Sequence, residues 1–143
     1  MSQILLNWIC VHKAAMTWHH AAHHVTKGKS FSGDHGILFD RIYTEYQADF
    51  DGIVEKVIGI TNDEDAACPN RILEGASELL QAYRTPCNCD ALTIATTALE
   101  LTKDYINYLE QMFEALEADG DLSLGLNDMI AAHANRYETH IYL

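Results

Sequence analysis

Proline and glycine are scarce in this chain. Its 143 residues include only two prolines, Pro69 and Pro86, and eight glycines. Because these two residue types disfavour helix interiors most strongly, their scarcity leaves long stretches in which a helix can continue. No stretch shows the sustained polar–apolar alternation of a β-strand. The sequence therefore predicts an all-α fold, and its length and 48% hydrophobic content suit a single domain over residues 1–143.

Basic residues are also few. Nine lysines and arginines stand against 21 aspartates and glutamates, so the formal net charge is −12. This charge argues against direct binding of DNA phosphates and favours metal cations as partners. The opening residues, MSQILLNWICVHK, lack the basic start and long apolar run of a secretion signal, and no run of about 20 apolar residues is present to span a membrane. We therefore expect a cytoplasmic protein without a membrane span.

The four cysteines form no regular framework. In the absence of a secretion signal, we interpret them as reduced thiols. Cys87 and Cys89 flank a single asparagine in a predicted loop. This short motif leaves three alternatives open, which are ordinary loop thiols, a metal site and a strained bridge.

Hydrophobic periodicity predicts four long helices and one short one. The predicted helices cover residues from about 3 to 26, about 35 to 60, a short stretch after Pro69-Asn70, about 91 to 118, and about 124 to the end. Gly28 is expected just beyond the first helix, and Ser32-Gly33-Asp34 is expected to cap the second. The buried seam predicted for the third long helix is Leu92, Ala95, Leu99, Thr102, Ile106, Leu109, Phe113 and Leu116. A four-helix bundle is the simplest architecture for this pattern.

Three carboxylates form a stripe on the second long helix. A helix advances about 100° per residue, so the eleven residues from Asp40 to Asp51 return to nearly the same face. Glu55 lies one turn beyond Asp51 on that face. The plain interpretation of such a stripe is a solvated acidic face.

A histidine cluster immediately precedes this stripe. His19 and His23 form one pair at i,i+4 spacing, and His20 and His24 form another. Histidines and carboxylates together are the ligands that iron, manganese and zinc accept. The combination therefore favours a metal site, although some of these histidines must simply pack or face solvent.

The order of these residues resembles the Dps-like branch of the ferritin superfamily, the miniature ferritins. In that family a His-Trp pair ends the first helix, a Gly and a Phe follow, a second His comes twelve residues after the first, and an Asp and an Asp-x-x-x-Glu come later. The matching residues here are His23, Gly28, Phe31, His35, Asp40, Asp51 and Glu55. The closing stretch Tyr137–Leu143 and the acidic stretch before it are also similar, so the resemblance spans almost the whole chain.

The chain departs from the family pattern at three points. His24 occupies the position of the family's Trp, so that His19 or His20 could help to hold a metal. Five residues separate His35 from Asp40, where the family has four. Either the helix start absorbs an extra residue or His35 points elsewhere. The lysine-rich tail with which many members bind DNA is absent. The chain also resembles phage-encoded relatives of uncertain function.

The resemblance implies a ferritin-like four-helix bundle with a short extra helix between the second and third long helices. It implies a ferroxidase site between two subunits, with His23, His35 and Asp40 from one chain and Asp51 and Glu55 from its two-fold mate. Iron would be oxidised there by peroxide or dioxygen and stored in a homo-oligomeric shell of about twelve subunits. Asp121 and Asp128 look like the acidic residues that line the family's three-fold pores.

Alternative interpretations remain open at this point. Asp121 and Asp128 could instead cap or stabilise the start of the last helix. The shifted spacing before Asp40 and the extra histidines are also compatible with a ferritin-like shell that lacks ferroxidase activity and serves as a structural or zinc-binding assembly. A third interpretation is an unrelated helical interaction module.

Overall fold

The computed structural model describes residues 2–143, and it is all-helical over that range. The α-helices are α1 (Ser2–Val25), α2 (Asp40–Thr61), α3 (Pro69–Leu80), α4 (Ala91–Ala118) and α5 (Leu124–Tyr142). Short 3-10 turns cover Gly28–Ser30 and Glu64–Ala67, and a π-helical segment covers Phe31–Phe39. Helix α1 packs against α2, α3 and α4, and α4 packs against α5. None of the helices in this range is both long and apolar enough to cross a membrane.

Most of the predicted helix bounds are confirmed, but the start of α2 is not. The predicted cap at Ser32-Gly33-Asp34 is wrong, because residues 31–39 form π-helical turns that run directly into α2. Phe39 precedes α2 with helical dihedral angles, and no side chain caps this end. The π-helical turns continue the backbone without a break, so no capping side chain is needed. Gly28 lies beyond α1, as expected, with a positive φ of 68°.

The predicted seam of α4 is correct in the second half of the helix and wrong in the first. Thr102, Ile106, Leu109 and Leu116 are buried and Phe113 is half-buried. Leu92 and Leu99, however, are 77% and 38% exposed, and Ala95 is exposed. The core side is formed instead by Ile94, Thr97, Ala98, Leu101 and Tyr105. Apolar residues lie on both sides of this part of α4, so only the packing against its neighbours decides which side is buried.

Helix α3 lies very close to α1. A Cβ atom added at Gly75 would lie 2.5 Å from the Sγ atom of Cys10, which is closer than such atoms approach in proteins. The missing side chain of Gly75 therefore allows α3 to pack on α1. Cys10 itself is buried in this contact, and burial raises the pKa of its thiol.

Several polar aromatic side chains lie in the core. His12 is fully buried, and its Nε2 lies 2.6 Å from the main-chain oxygen of Tyr46 while its Nδ1 lies 2.6 Å from the hydroxyl of Tyr105. A carbonyl oxygen only accepts hydrogen bonds, so Nε2 carries the proton and Nδ1 accepts from Tyr105. The indole of Trp8 donates to the same hydroxyl over 3.0 Å. These bonds join α1, α2 and α4.

Two carboxylates of α2 pair with basic side chains of α5. Glu45 lies 2.6 Å from the Nε2 atom of His140, and Asp49 accepts hydrogen bonds from Arg136 and from the hydroxyl of Tyr137. Burial alone would raise the pKa of Asp49, but hydrogen bonds and charge from His133 and Arg136 outweigh it and lower the pKa to about 2. The ionised form of Asp49 is therefore strongly favoured in the folded chain.

Replacement of Asp49 by asparagine should weaken this contact between α2 and α5. The folded-state pKa of about 2 lies below the value of about 3.9 for an unfolded aspartate, so the ionised carboxylate stabilises the fold above pH 4, and this contribution is lost as the pH falls towards 2. We expect Asp49→Asn to lower the free energy of unfolding by about 2 kcal/mol at pH 7, and this deficit to shrink between pH 4 and pH 2.

Urea unfolding across this pH range measures both effects. The matched control is Glu138→Gln, because Glu138 is an exposed carboxylate of α5 that lies outside this contact and outside the proposed metal site. An equal loss of stability in both variants would contradict the assigned role of Asp49.

His12 should make the stability of the fold depend on pH. Burial lowers its pKa from 6.5 to about 4 in the folded chain. Between these values the unfolded chain binds a proton that the folded chain does not, so stability should fall as the pH decreases from about 6.5 to 4. We expect the stability of the His12→Phe variant to fall less steeply as the pH decreases, because the variant should take up as much as about one proton fewer on unfolding. Urea unfolding at several pH values tests this, and an unchanged slope in the variant would refute it.

Candidate metal centre

His23 and His35 meet where α1 gives way to the π-helical segment. The Nδ1 atom of His23 lies 3.0 Å from the main-chain oxygen of His35, and the Nδ1 atom of His35 lies 2.5 Å from the main-chain oxygen of His23. Both rings are half-buried and stack on each other, with their centroids 3.9 Å apart. Two residues twelve positions apart are therefore held together by reciprocal bonds.

These bonds determine which ring nitrogens are available to a ligand. Because main-chain oxygens only accept, the Nδ1 atom of each ring must carry the proton. Each neutral ring then has its lone pair on Nε2, and neither His23 nor His35 uses that atom in the reciprocal bonds. Histidines that bind metals usually donate their other nitrogen in this way, which fixes the orientation of the ring.

Phe31 extends the stack on the side of His35, and Tyr43 lies tilted beside His23. Phe31 lies nearly parallel to His35 with a centroid distance of 4.4 Å, and Tyr43 lies 5.0 Å from His23. Phe31 remains 55% exposed. Tyr43 was not among the predicted site residues, although its position one turn beyond Asp40 on α2 was a signal that could have identified it.

His20 and His24 lie on the outer side of the same helix end. Both are exposed, and their ring centroids are 4.3 Å apart. His20 also stacks on Tyr43 at 4.3 Å. Partial burial and the neighbouring His24 and His23 rings lower the pKa of His20, which favours the neutral form that metals bind.

His19 belongs to the core instead. It is fully buried, its Nδ1 lies 2.8 Å from the main-chain oxygen of Ala15, and it stacks on Tyr46 at 5.2 Å. Burial lowers the pKa of His19 to about 4, so the ring is neutral near pH 7. The structure thus separates His19 from the exposed histidines with which the sequence grouped it.

The three predicted carboxylates remain in solvent. Asp40 begins α2, Asp51 and Glu55 follow on the same helix, and all three are exposed. Within residues 2–143 of one chain, no group of three or more histidine, cysteine, aspartate or glutamate side chains is arranged to hold a metal ion. The structure therefore brings His23 and His35 together, but it does not bring the carboxylates to them within one chain.

The π-helical segment affects how His35 and Asp40 are related along the backbone. A π-helix forms hydrogen bonds from residue i to i+5, so residues five apart are related as residues four apart are in an α-helix. Residues 31–39 adopt this geometry. His35 and Asp40 are therefore related much as residues four apart are in an α-helix, but among the residues that the structure describes no metal-holding group of three or more side chains contains them.

The two aspartates near the start of α5, Asp121 and Asp128, do not cap that helix. Ser123 is the capping residue, and its hydroxyl accepts a hydrogen bond of 3.1 Å from the main-chain nitrogen of Leu126. The main-chain nitrogen of Asp121 donates to the oxygen of Leu116, which closes the end of α4. Asp128 is exposed near the start of α5. A capping role is thus accounted for without the carboxylate of either aspartate.

Comparison with known proteins does not add to this picture. No known family matches the chain, and neither a curated protein nor a solved structure is similar to it.

The tautomers of His23 and His35 are directly measurable. We expect nitrogen NMR of the metal-free protein at pH 8 to show both rings protonated on Nδ1 and unprotonated on Nε2, because each Nδ1 donates to a main-chain oxygen. His23→Gln and His35→Gln assign the two signals. A proton on Nε2 of either ring would contradict the reciprocal bonds.

Proposed function

We propose that this chain is a subunit of a Dps-like ferritin that oxidises Fe(II) between subunits and stores Fe(III) inside a protein shell. In this proposal the four long helices form a ferritin-like bundle, with α3 as the short extra helix between the second and third. The observation that carries it is the His23–His35 pair, in which both Nδ1 atoms are engaged and both Nε2 atoms remain for a metal.

The π-helical segment supports the same site. It compensates for the one residue by which the spacing from His35 to Asp40 exceeds the family pattern. The site can therefore retain the family's order of ligands despite the longer spacing. Short π-helical turns are also frequent at functional sites.

A second subunit would supply the remaining ligands. His23 and His35 offer two nitrogen ligands, and a mixed site for Fe(II) also needs oxygen ligands. Asp51 and Glu55 are exposed and one turn apart on α2, so a two-fold partner could present both to the histidine pair, with Asp40 joining from the first chain. Burial of the carboxylates between subunits would be costly without a cation, which favours metal binding there.

Iron is the substrate in this scheme. Each Fe(II) gives up one electron, so two ions reduce one hydrogen peroxide and two protons to two water molecules. The protein holds the ions on imidazole and carboxylate groups and leaves positions open for the oxidant. The net charge of −12 favours the attraction of Fe(II) and the nucleation of Fe(III) on an acidic surface.

Assembly into a shell would use other exposed features. Leu92, Leu124 and Ile37 are large apolar side chains that are at least 68% exposed in the single chain. Contacts between subunits would remove such groups from water. In this proposal Asp121 and Asp128 line pores where three subunits meet and draw cations inward.

The second candidate is a shell that binds zinc or serves a structural role without oxidising iron. The exposed His20–His24 pair favours it, because neutral imidazoles suit zinc and no carboxylate of the same chain lies in a metal-holding group with them. The two candidates differ in the predicted response to Fe(II).

Replacement of Glu55 tests the iron site. We expect Glu55→Ala to slow Fe(II) oxidation by about 100-fold, because the variant removes a direct ligand, and even outer partners of a metal typically cost roughly 10–100-fold. Oxidation is followed by absorbance after the addition of Fe(II) and peroxide. Glu74→Ala, at an exposed glutamate of α3, is the matched control and should retain the full rate. If the unmodified protein oxidises Fe(II) as slowly as the Glu55→Ala variant and contains zinc, the second candidate is favoured.

Analytical ultracentrifugation and elemental analysis complete this test. A shell of about twelve subunits that takes up many iron ions per chain would support iron storage. A shell that holds only zinc would support the structural candidate. A monomer or dimer would refute both.

A further inference from the structure

A surface cavity lies between the end of α1 and the loop that joins α3 to α4. Its volume is about 390 Å³, and its lining includes His24, Lys27, Cys87 and Cys89. These residues come from two parts of the chain that are about 60 positions apart. The cavity therefore brings the two loop thiols and an exposed histidine into one small region, and the iron proposal uses neither thiol.

The loop backbone forms a tight turn around its two cysteines. Asn88 adopts a left-handed conformation with φ of 60°, and the main-chain nitrogen of Cys89 donates to the oxygen of Pro86 over 3.4 Å. The Sγ atom of Cys89 lies 3.4 Å from the main-chain oxygen of Thr85 and 3.7 Å from that of Cys87, so this side chain folds back over the turn. Both thiols are free, and Cys87 is exposed.

Two histidines of α1, His24 and His20, lie at or near this cavity. His24 lines the cavity, and the ring of His20 lies 4.3 Å from it, one helical turn earlier. Both histidines are exposed. His24, His20 and Cys87 can therefore change rotamer without opening the core.

We propose that Cys87, Cys89 and His24 bind one Zn²⁺ ion, with His20 as the fourth ligand. Two thiolates and two imidazoles form one of the commonest tetrahedral zinc sites. The two thiolates neutralise the charge of the ion, so the nearby ammonium group of Lys27 does not oppose binding. The ligands are not already gathered around a point in the metal-free chain, so binding draws the exposed side chains of His20, His24 and Cys87 towards the half-buried thiol of Cys89.

Such a site would differ in chemistry from the proposed iron site. Soft thiolates select zinc, whereas the carboxylates proposed for iron suit harder ions. Bound zinc would fasten the loop between α3 and α4 to the end of α1, immediately beside His23. The zinc ion would thus stabilise the segment that carries the histidine pair without taking part in oxidation.

Titration of the reduced, metal-free protein with Zn²⁺ against a chromophoric chelator tests the proposal. We expect one tightly bound ion per chain that depends on both thiols. Cys87→Ser, Cys89→Ser and His24→Ala should each weaken it by about 100-fold, because loss of a direct ligand should cost at least as much as the roughly 10–100-fold typical of outer partners. Replacement of zinc by Co²⁺ should give a sulfur-to-metal charge-transfer band, which reports thiolate ligation independently of affinity.

Matched variants separate this site from other metal-binding groups. Cys68→Ser changes a half-buried thiol outside the loop and should leave both the affinity and the cobalt band unchanged. His35→Gln removes a proposed iron ligand and should preserve the thiol-dependent zinc ion. Unchanged zinc affinity in the Cys87→Ser/Cys89→Ser double variant, or a cobalt complex without the sulfur band, would overturn the proposal whether or not the protein oxidises iron.

Discussion

The packing of three of the long helices is organised around the two hydrogen bonds of one buried imidazole. His12 of α1 donates to the main chain of α2 at Tyr46 and accepts from the hydroxyl of Tyr105 on α4. Tyr137 of α5 stacks on both tyrosines, with ring centroids less than 5 Å apart. An apolar side chain at position 12 would leave the carbonyl of Tyr46 and the hydroxyl of Tyr105 buried with one partner fewer, and such groups are costly to bury. The four long helices are thus joined through polar groups as well as through apolar packing.

This arrangement also determines which side chains of α1 are exposed. His12 and His19 are seven residues apart, so both lie on the face that is buried in the core. That rotation of the helix leaves His20 and His24 exposed and His23 at the boundary, where it can meet His35. The packing of the core therefore leaves His19 buried, His23 paired with His35, and His20 and His24 exposed. Both proposed metal sites depend on this division.

Prediction from the sequence was most accurate where a pattern was long and local. The bounds of α3, α4 and α5 follow from breaks at Pro69, Asp90 and Gly120 and from uninterrupted periodicity between them. It failed where two faces of a helix were both apolar, as at Leu92 and Leu99, because only the neighbouring helices decide which face is covered. The π-helical turns were not predicted either, since no residue type marks them. For the candidate site, the family resemblance pointed to His23 and His35, but their tautomers required the positions of two main-chain oxygens.

The sequence by itself determined that the chain is helical and acidic, because helix propensity and charge are properties of individual residues and short windows. It also determined that histidines and carboxylates occur at helical spacings. Only the tertiary structure decided which of those histidines are buried, which ring nitrogens are engaged, and that the loop thiols share a cavity with His24. These properties depend on contacts between residues that are distant in the chain, and such contacts exist only after the helices have packed.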